Sequence, residues 1–120
     1  MFHTYMAAID ISTRTLQKGS AEFLVLSILD GPDRHGYELA QIIETRSEGK
    51  LCFKAATLYP LLYKLEKQGW VAGRWVEKAS ERRRRFYRLT PAGRKVLGVR
   101  RQVWREFLEA LDQVARLRHV

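Results

Sequence analysis

Hydrophobic residues in the middle of the chain recur with the period of a helix. Leu58, Leu61, Leu62 and Leu65 stand at positions i, i+3, i+4 and i+7, which places them on one face of a helix from Ala55 to Gln68. The opposite side offers threonine, tyrosine, proline and lysine side chains. The pattern predicts an amphipathic helix that packs its leucines on a core and exposes a polar, basic face.

Pro60 restricts where this helix begins, because proline has no N–H to donate and clashes with the carbonyl four residues earlier. The helix therefore starts near Ala55 to Thr57, or it bends at Pro60. In either case the segment from Thr57 to Pro60 is its N-terminal end.

Two further helices are predicted before this one. Residues 20–29 are apolar on nearly all sides, with Ser20 as the N-cap, so this helix should be buried. The sequence Asp30-Gly31-Pro32 ends it, and a second helix runs from about His35 to Arg46. Residues 51–53 are a short edge strand or an extended link, and residues 1–18 a flexible arm or a short helix.

Strands and a long helix follow. Trp70 to Glu77 and Phe86 to Leu89 are rich in aromatic and β-branched residues and read as an antiparallel hairpin. Thr90 and Pro91 form an N-cap and first helical position, so the last helix should run over residues 91–117, about 40 Å. Such a length with a continuous apolar stripe is typical of a helix that pairs with a second copy.

The formal net charge of +9 is concentrated in one part of the chain. Residues 1–49 carry four Lys or Arg against seven Asp or Glu (net −3), residues 50–105 carry sixteen against three (net +13), and residues 106–120 carry two against three (net −1). Basicity confined in this way is typical of a surface that binds a polyanion. A solvated basic surface without a partner is the plainer interpretation.

Several other classes of protein are not indicated. A single cysteine, Cys52, excludes an intramolecular disulfide, fits a reducing cytoplasm, and is interpreted as a small buried side chain. No stretch is long and apolar enough to span a membrane. The histidines do not cluster with other metal ligands, and no nucleophile–base arrangement or phosphate-binding glycine loop appears. We expect no enzyme activity, no metal and no cofactor.

A helix-turn-helix followed by a basic hairpin, or wing, is what a DNA-reading winged helix needs. The candidates for phosphate contact are Lys54, Lys64, Lys67, Arg82, Arg83, Arg84 and Arg85, and those for base contact are Thr57, Tyr59 and Tyr63. Packing at the core edge is the alternative for Tyr59 and Tyr63. Because side chains alternate along a strand, the four arginines cannot all face DNA in one pose.

The apolar stripe of the last helix supplies the candidates for a dimer interface or a ligand site. They are Leu97, Trp104, Phe107, Leu108, Leu111 and Val114. For Trp104 and Phe107 interface packing is the favoured interpretation, and a flat ligand between two facing tryptophans is the alternative.

Four stretches, GSAEFLVLSIL, HGYEL, ATLYPLLYKLEKQGW and RRRRFYRLTPAG, occur in this order between Gly19 and Gly93. Together they resemble the PadR family of bacterial transcriptional regulators. The resemblance implies a winged-helix DNA-binding domain with a recognition helix at Ala55 to Gln68 and a wing at Trp75 to Arg85. It also implies a homodimeric repressor on a palindromic operator, often released by a small aromatic effector, with Trp104 at a similar place to a ligand-binding tryptophan of some members.

The sequence therefore predicts a mainly α chain with a small β-hairpin. An N-terminal arm or short helix (1–18) precedes a winged-helix domain (19–90) and a C-terminal dimerisation helix (91–120). We expect a cytoplasmic, homodimeric regulator that binds double-stranded DNA and no membrane. The rival hypothesis is a winged helix that docks an acidic protein partner instead of DNA.

Overall fold

A computed structural model describes residues 19–77 and 83–117 of the chain. Helix α1 covers residues 19–28, and the other elements are β1 (Arg34–His35), α2 (Gly36–Arg46), α3 (Ala55–Lys67), β2 (Val71–Val76), β3 (Arg84–Leu89) and α4 (Pro91–Ala115). The mainly helical fold with a small hairpin is confirmed. The predicted N-terminal arm and the tip of the hairpin lie outside the described residues.

The four helices and the sheet share one core. On α3 the leucine stripe behaves as its spacing predicts, since Leu58, Leu62 and Leu65 are buried and Leu61 is half-buried. Helix α1 is central, as its nearly continuous apolar character predicts. The buried side chains of the core are Val25, Leu26, Ile28, Leu29, Leu39, Ile43, Leu58, Leu62, Leu65, Val71, Tyr87, Leu89 and Leu97.

The sheet has three antiparallel strands in the order β1-β3-β2. Strand β1 was not predicted, because two residues are too few to show an alternating pattern. Its His35 pairs with Phe86, and across the hairpin Val71 pairs with Leu89 and Trp75 with Arg85. Strand β3 begins at Arg84, two residues earlier than predicted, so part of the arginine run is inside the sheet.

Helix α3 begins at Ala55, within the predicted range, but Pro60 lies inside it, in the second turn instead of the first. The helix ends where the Gly69 N–H donates to the Glu66 carbonyl and the Trp70 N–H to the Leu65 carbonyl. This pair of bonds is a Schellman motif, and it places Gly69 at a φ of 78°, a conformation that favours glycine. The chain therefore turns sharply from α3 into β2, which brings the hairpin beside the helix.

Helix α4 begins as predicted, because the Thr90 Oγ1 accepts a hydrogen bond from the Gly93 N–H at 3.0 Å and Pro91 occupies the first helical position. Leu97 is only 1% exposed and packs in the core of its own chain. The prediction that Leu97 belongs to a dimer interface is therefore wrong: the apolar stripe changes partner along the helix, and its first turns are used by the chain's own core.

Three smaller expectations also fail. Gly19 and Ser20 are already helical, so Ser20 is not the N-cap of α1. Residues 51–53 form an extended link and no strand. Cys52 is exposed, and its thiol donates to the Glu44 Oε1 at 3.1 Å; this hydrogen bond to a carboxylate raises the pKa of Cys52.

Candidate nucleic-acid interface

A cleft of about 760 Å³ lies between the N-terminus of α2, the exposed side of α3 and the hairpin. We call it the α3–hairpin cleft. Its lining is aromatic and basic, and consists of His35, Gly36, Tyr37, Tyr59, Tyr63, Glu66, Trp75, Arg83, Arg84, Arg85 and Tyr87. Five of the ten predicted DNA-contact residues, two tyrosines and three arginines, thus come together in one concavity.

The outer face of α3 carries the predicted base-contact residues. Tyr63 is 62% exposed, and the Lys67 Nζ lies 5.2 Å from the centroid of its ring. Thr57 and Lys54 are exposed at the N-terminal end of the helix. These positions leave hydroxyl and ammonium groups free for a polyanionic ligand.

Tyr59 has a packing role as well as an exposed surface. Its ring lies against Gly36, where a Cβ atom would come within 2.6 Å of Cε1 of the tyrosine. The residue is nevertheless 45% exposed. Tyr59 therefore joins α3 to the start of α2 and presents only part of its ring to the cleft.

Lys64 points to a different side of α3 from Tyr63. Its Nζ lies 3.3 Å from Oε2 of Glu22, which is also paired with Arg100 of α4. Partial burial acts to raise the pKa of Glu22, but the hydrogen bonds and charges of Arg100 and Lys64 outweigh it and hold that pKa below its ordinary value of 4.5. Lys64 is thus tied to α1, although its side chain remains 60% exposed.

The run of arginines is divided by the pleat of the strand, as the alternation rule predicts. Arg84 is exposed, and its Nη1 lies 3.4 Å from Nε2 of His35. Arg83 is paired with Glu77 at 3.3 Å and lies over the ring of Trp75. Arg82 lies outside the described residues.

Arg85 differs from the expectation of a free phosphate ligand. Its guanidinium donates three hydrogen bonds of 3.0–3.2 Å to the Glu66 carboxylate on α3. Beside this pair, Tyr87 is buried, and both that burial and the Glu66 carboxylate raise the pKa of its hydroxyl, which stays protonated at neutral pH. Arg85 connects the hairpin to the helix.

Six of the eleven residues that line the cleft were not among the predicted contacts, and three of these have aromatic rings at its rim. His35, Tyr37 and Trp75 line it, and Tyr37 and Trp75 are 57% and 54% exposed. The available signal was the segment HGYEL at the start of α2, in which Tyr37 follows His35 by two positions. Only the two-residue strand β1, which pairs with β3, shows that this segment reaches the hairpin.

Beyond Leu97, α4 exposes a stripe of large apolar side chains. Those of the helix that are at least 40% exposed are Val99, Val103, Phe107, Leu108, Leu111 and Val114, and Leu117, just after its end, is exposed as well. Trp104 is only partly exposed, because it stacks on Phe23 of α1 with a centroid distance of 5.6 Å. A second cleft of about 480 Å³ lies beside it, between α1 and α4, and includes Glu22 and Arg100.

The part of the chain that the structure describes contains no group of three or more His, Cys, Asp or Glu side chains arranged to hold a metal ion. In the same residues no helix has the length and hydropathy needed to cross a membrane.

A sequence model of the Transcriptional regulator PadR-like family matches residues 25–99, which is more than half of the chain. The chain belongs to the PadR-like family. The match covers α2, α3, the hairpin and the first turns of α4, so the winged-helix fold and the resemblance seen in the sequence are confirmed. Members of the family are transcriptional regulators that bind DNA and are not enzymes, as expected for this chain.

Solved structures agree with the family assignment. A PadR family transcriptional regulator from Eggerthella lenta is 28% identical, with a TM-score of 0.82 over 97% of this chain and 99% of that one. A PadR family regulator from Clostridium difficile is also 28% identical, with a TM-score of 0.69 over 80% and 98% of the two chains. A curated relative from Lysinibacillus sphaericus, described as uncharacterised, is 30% identical over 79% of this chain and 87% of its own length.

Proposed function

We propose that this PadR-family protein is a cytoplasmic, homodimeric repressor that binds a palindromic operator. Each copy would place the N-terminal end of α3 in the major groove, and the hairpin would contact the flanking phosphate backbone. Thr57 and Tyr63 would contact base edges, with Tyr59 contributing the exposed part of its ring. Lys54, Lys67, Arg82, Arg83 and Arg84 would bind phosphates, with Lys64 at the edge of this surface.

The observation that carries this proposal is the joint position of α3 and the hairpin. Tyr63 and Arg84 line the same cleft, although twenty-one positions separate them in the sequence. An exposed helix face beside a basic hairpin gives both a base-reading and a phosphate-binding element. The charge of +13 over residues 50–105 supports a polyanionic partner.

Dimerisation is supported by the exposed apolar stripe of α4. Six large apolar side chains on one helix, each at least 40% exposed, exceed what a monomer usually leaves in water. A second copy that pairs along this stripe would give the two-fold symmetry that a palindrome needs, with half-sites about 34–36 Å apart. We propose residues 91–120 as the dimerisation helix, with its interface beyond Leu97.

For an effector, we propose the cleft between α1 and α4 beside Trp104. The cleft offers the tryptophan ring to a small aromatic ligand, beside the paired side chains of Glu22 and Arg100. Quenching of tryptophan fluorescence by planar aromatic compounds should be lost in Trp104→Ala. If quenching persists in that variant, the effector site lies elsewhere.

DNA binding is tested by fluorescence anisotropy with a duplex from upstream of the protein's own gene and a scrambled duplex of equal length. We expect saturable binding that survives competitor DNA and weakens steeply with salt. Lys67→Ala should weaken binding to both duplexes equally, whereas Tyr63→Ala should cost about 1–3 kcal/mol more on the upstream duplex. The charge-matched control for Lys67→Ala is Arg105→Ala, on α4.

Two outcomes would contradict parts of this proposal. Equal losses on both duplexes for Tyr63→Ala would exclude base contact by that side chain. No binding to either duplex at moderate salt would favour the rival function, in which the basic surface docks an acidic protein partner.

A further inference from the structure

One ion pair, between Glu66 and Arg85, connects α3 to the hairpin. Glu66 lies in the last turn of α3 and Arg85 on β3, and the guanidinium Nη2 is 3.0 Å from Oε1 and 3.1 Å from Oε2, with Nε 3.2 Å from Oε1. The Arg85 side chain is 28% exposed and the Glu66 side chain 21%. Among the ion pairs of residues 19–77 and 83–117, this is the one that links α3 to the hairpin.

The Arg85 guanidinium is also held by aromatic rings. Its central carbon lies 5.4 Å from the ring centroid of Trp75, its partner on β2, and 5.8 Å from that of Tyr87. Bonds to a planar carboxylate and contact with two rings restrict this side chain to one orientation. Arg84, the next residue, has none of these contacts and lies instead beside His35.

The Glu66–Arg85 pair lies at a position on the hairpin from which it can restrict the movement of the hairpin. The inner end of the hairpin is fixed in the core by Val71 and Leu89, which are 2% and 4% exposed. Arg85 lies four residues further out, beside the part of β3 that leads to the tip. A contact at this distance from the core limits how far the hairpin can swing relative to α3.

We propose that the Glu66–Arg85 ion pair is a positioning device for DNA binding, in which neither side chain contacts DNA. It holds the hairpin at the angle to α3 at which both elements meet one duplex. Because the hairpin is already ordered before DNA binds, the entropic cost of binding is smaller. This inference rests on the proposed DNA-binding function and assigns Glu66 and Arg85 a role in it.

The two variants Glu66→Gln and Arg85→Gln test the proposal, because Glu66→Gln separates positioning from simple electrostatics. Removing a carboxylate raises the net charge by one, and electrostatics alone would tighten DNA binding. Loss of positioning instead weakens it, and we expect a loss of roughly threefold to tenfold on the upstream duplex. The double variant should lose no more than the weaker-binding single variant, since both changes break the same pair.

The salt dependence separates positioning from phosphate contact. For Arg85→Gln the slope of log K against log salt should stay at the wild-type value, whereas the control Arg84→Gln should reduce it by about 0.9, the loss of one phosphate contact. A reduced slope for Arg85→Gln, or wild-type or tighter binding by Glu66→Gln, would overturn the proposal. Thermal melting of each variant confirms that it is folded.

Hydrogen exchange gives a readout without DNA. Backbone amides of residues 84–87 should exchange faster in Glu66→Gln than in the wild type, and those of α1 should not change. Unchanged protection of β3 would refute the positioning role even if DNA binding fell. If the wild type binds no DNA but β3 loosens in Glu66→Gln, then the DNA-binding function fails and the structural role of the pair stands.

Discussion

The carboxylate of Glu22 connects three helices. Glu22 lies on α1 and is paired with Arg100 on α4 and with Lys64 on α3, the latter at 3.3 Å. The Arg100 guanidinium also lies over the ring of Trp70, at 5.0 Å. One side chain therefore connects α3, the proposed recognition helix, to the helix proposed for dimerisation, and its charge state matters for both contacts.

This arrangement predicts a pH-dependent contribution to stability. Because the pKa of Glu22 in the folded chain is below 4.5, its stabilising effect is fully present above pH 4.5 and is lost as pH falls through the lowered pKa. Glu22→Gln should lower the free energy of unfolding by roughly 1–2 kcal/mol at pH 7 and by less at pH 3. Urea unfolding at the two pH values measures the difference.

The control for this prediction is Glu48→Gln, which removes the same charge from an exposed residue. Within the described parts of the chain Glu48 makes no ion pair, so its substitution should change stability little at either pH. A loss for Glu22→Gln that is the same at pH 7 and pH 3 would show that the carboxylate charge is not the source of its contribution.

At the level of single residues, the sequence predicted which charged side chains the surface carries better than it predicted which residues they contact. It placed four arginines together and predicted that strand alternation would divide them, and in the structure Arg84 and Arg85 have different partners, His35 and Glu66. It contained no sign that Arg85 would meet Glu66, because that contact depends on how the hairpin lies against α3. A charge pattern shows how many cations a surface has, whereas only the fold shows which of them are already neutralised.

At the level of elements, the start of α4 depends on a close approach of two backbones. Gly93 packs against the turn after α3, and a Cβ atom there would come within 2.9 Å of the Trp70 carbonyl carbon and closer still to its oxygen. Both of these atoms are backbone, so neither can rotate away. The position accepts only glycine without a shift of α4 relative to β2.

Gly93→Ala should therefore destabilise the protein by about 2–4 kcal/mol, measured by urea unfolding. Gly98 provides the matched control, because it is on the same helix and a Cβ atom there meets no heavy atom within 4 Å. Gly98→Ala should leave stability unchanged or raise it by up to about 1 kcal/mol, since alanine favours the helix. Similar effects for the two substitutions would contradict the packing explanation.

Elements whose sequence signal lies within the element itself were predicted well. Elements that form only by pairing with a distant part of the chain were not. The leucines of α3 and the Thr90-Pro91 pair of α4 each contain their own signal within one turn or two. Strand β1 has two residues and exists only through its bonds to β3. The contribution of His35 and Tyr37 to the α3–hairpin cleft was missed for that reason.

Over the whole molecule, the basic surface is narrower than the sequence suggests. The positive segment includes the first part of α4, but three of its arginines meet acidic residues of α1 and the turn that follows it. Arg100 pairs with Glu22, and Arg94 and Arg101 approach Asp30 at 3.6 Å and 3.3 Å. The acidic N-terminal part of the chain thus partly neutralises α4, whereas Lys54, Lys67 and Arg84 around the α3–hairpin cleft have no acidic partner among the ion pairs of the described residues.

The separation of the apolar surface of α4 from the exposed face of α3 leads to a prediction about dimerisation. With α4 partly neutralised and apolar beyond Leu97, two copies can pair along it while α3 stays available for DNA. Phe107 is 52% exposed in the middle of the stripe, so Phe107→Glu should bury a charge in a dimer interface. We expect this variant to be monomeric at micromolar concentration by light scattering and to bind a palindromic duplex at least about tenfold more weakly, because the two half-sites are no longer linked.

The matched control is Gln113→Glu, which introduces the same charge on α4 at an exposed position outside the stripe. It should remain dimeric and keep its DNA affinity within about twofold, the small change expected from one added surface charge. Binding to a single half-site should be similar for both variants, because α3 and the hairpin are intact in each. If Phe107→Glu remains dimeric, a different surface joins the two copies, and the exposed stripe of α4 needs another partner.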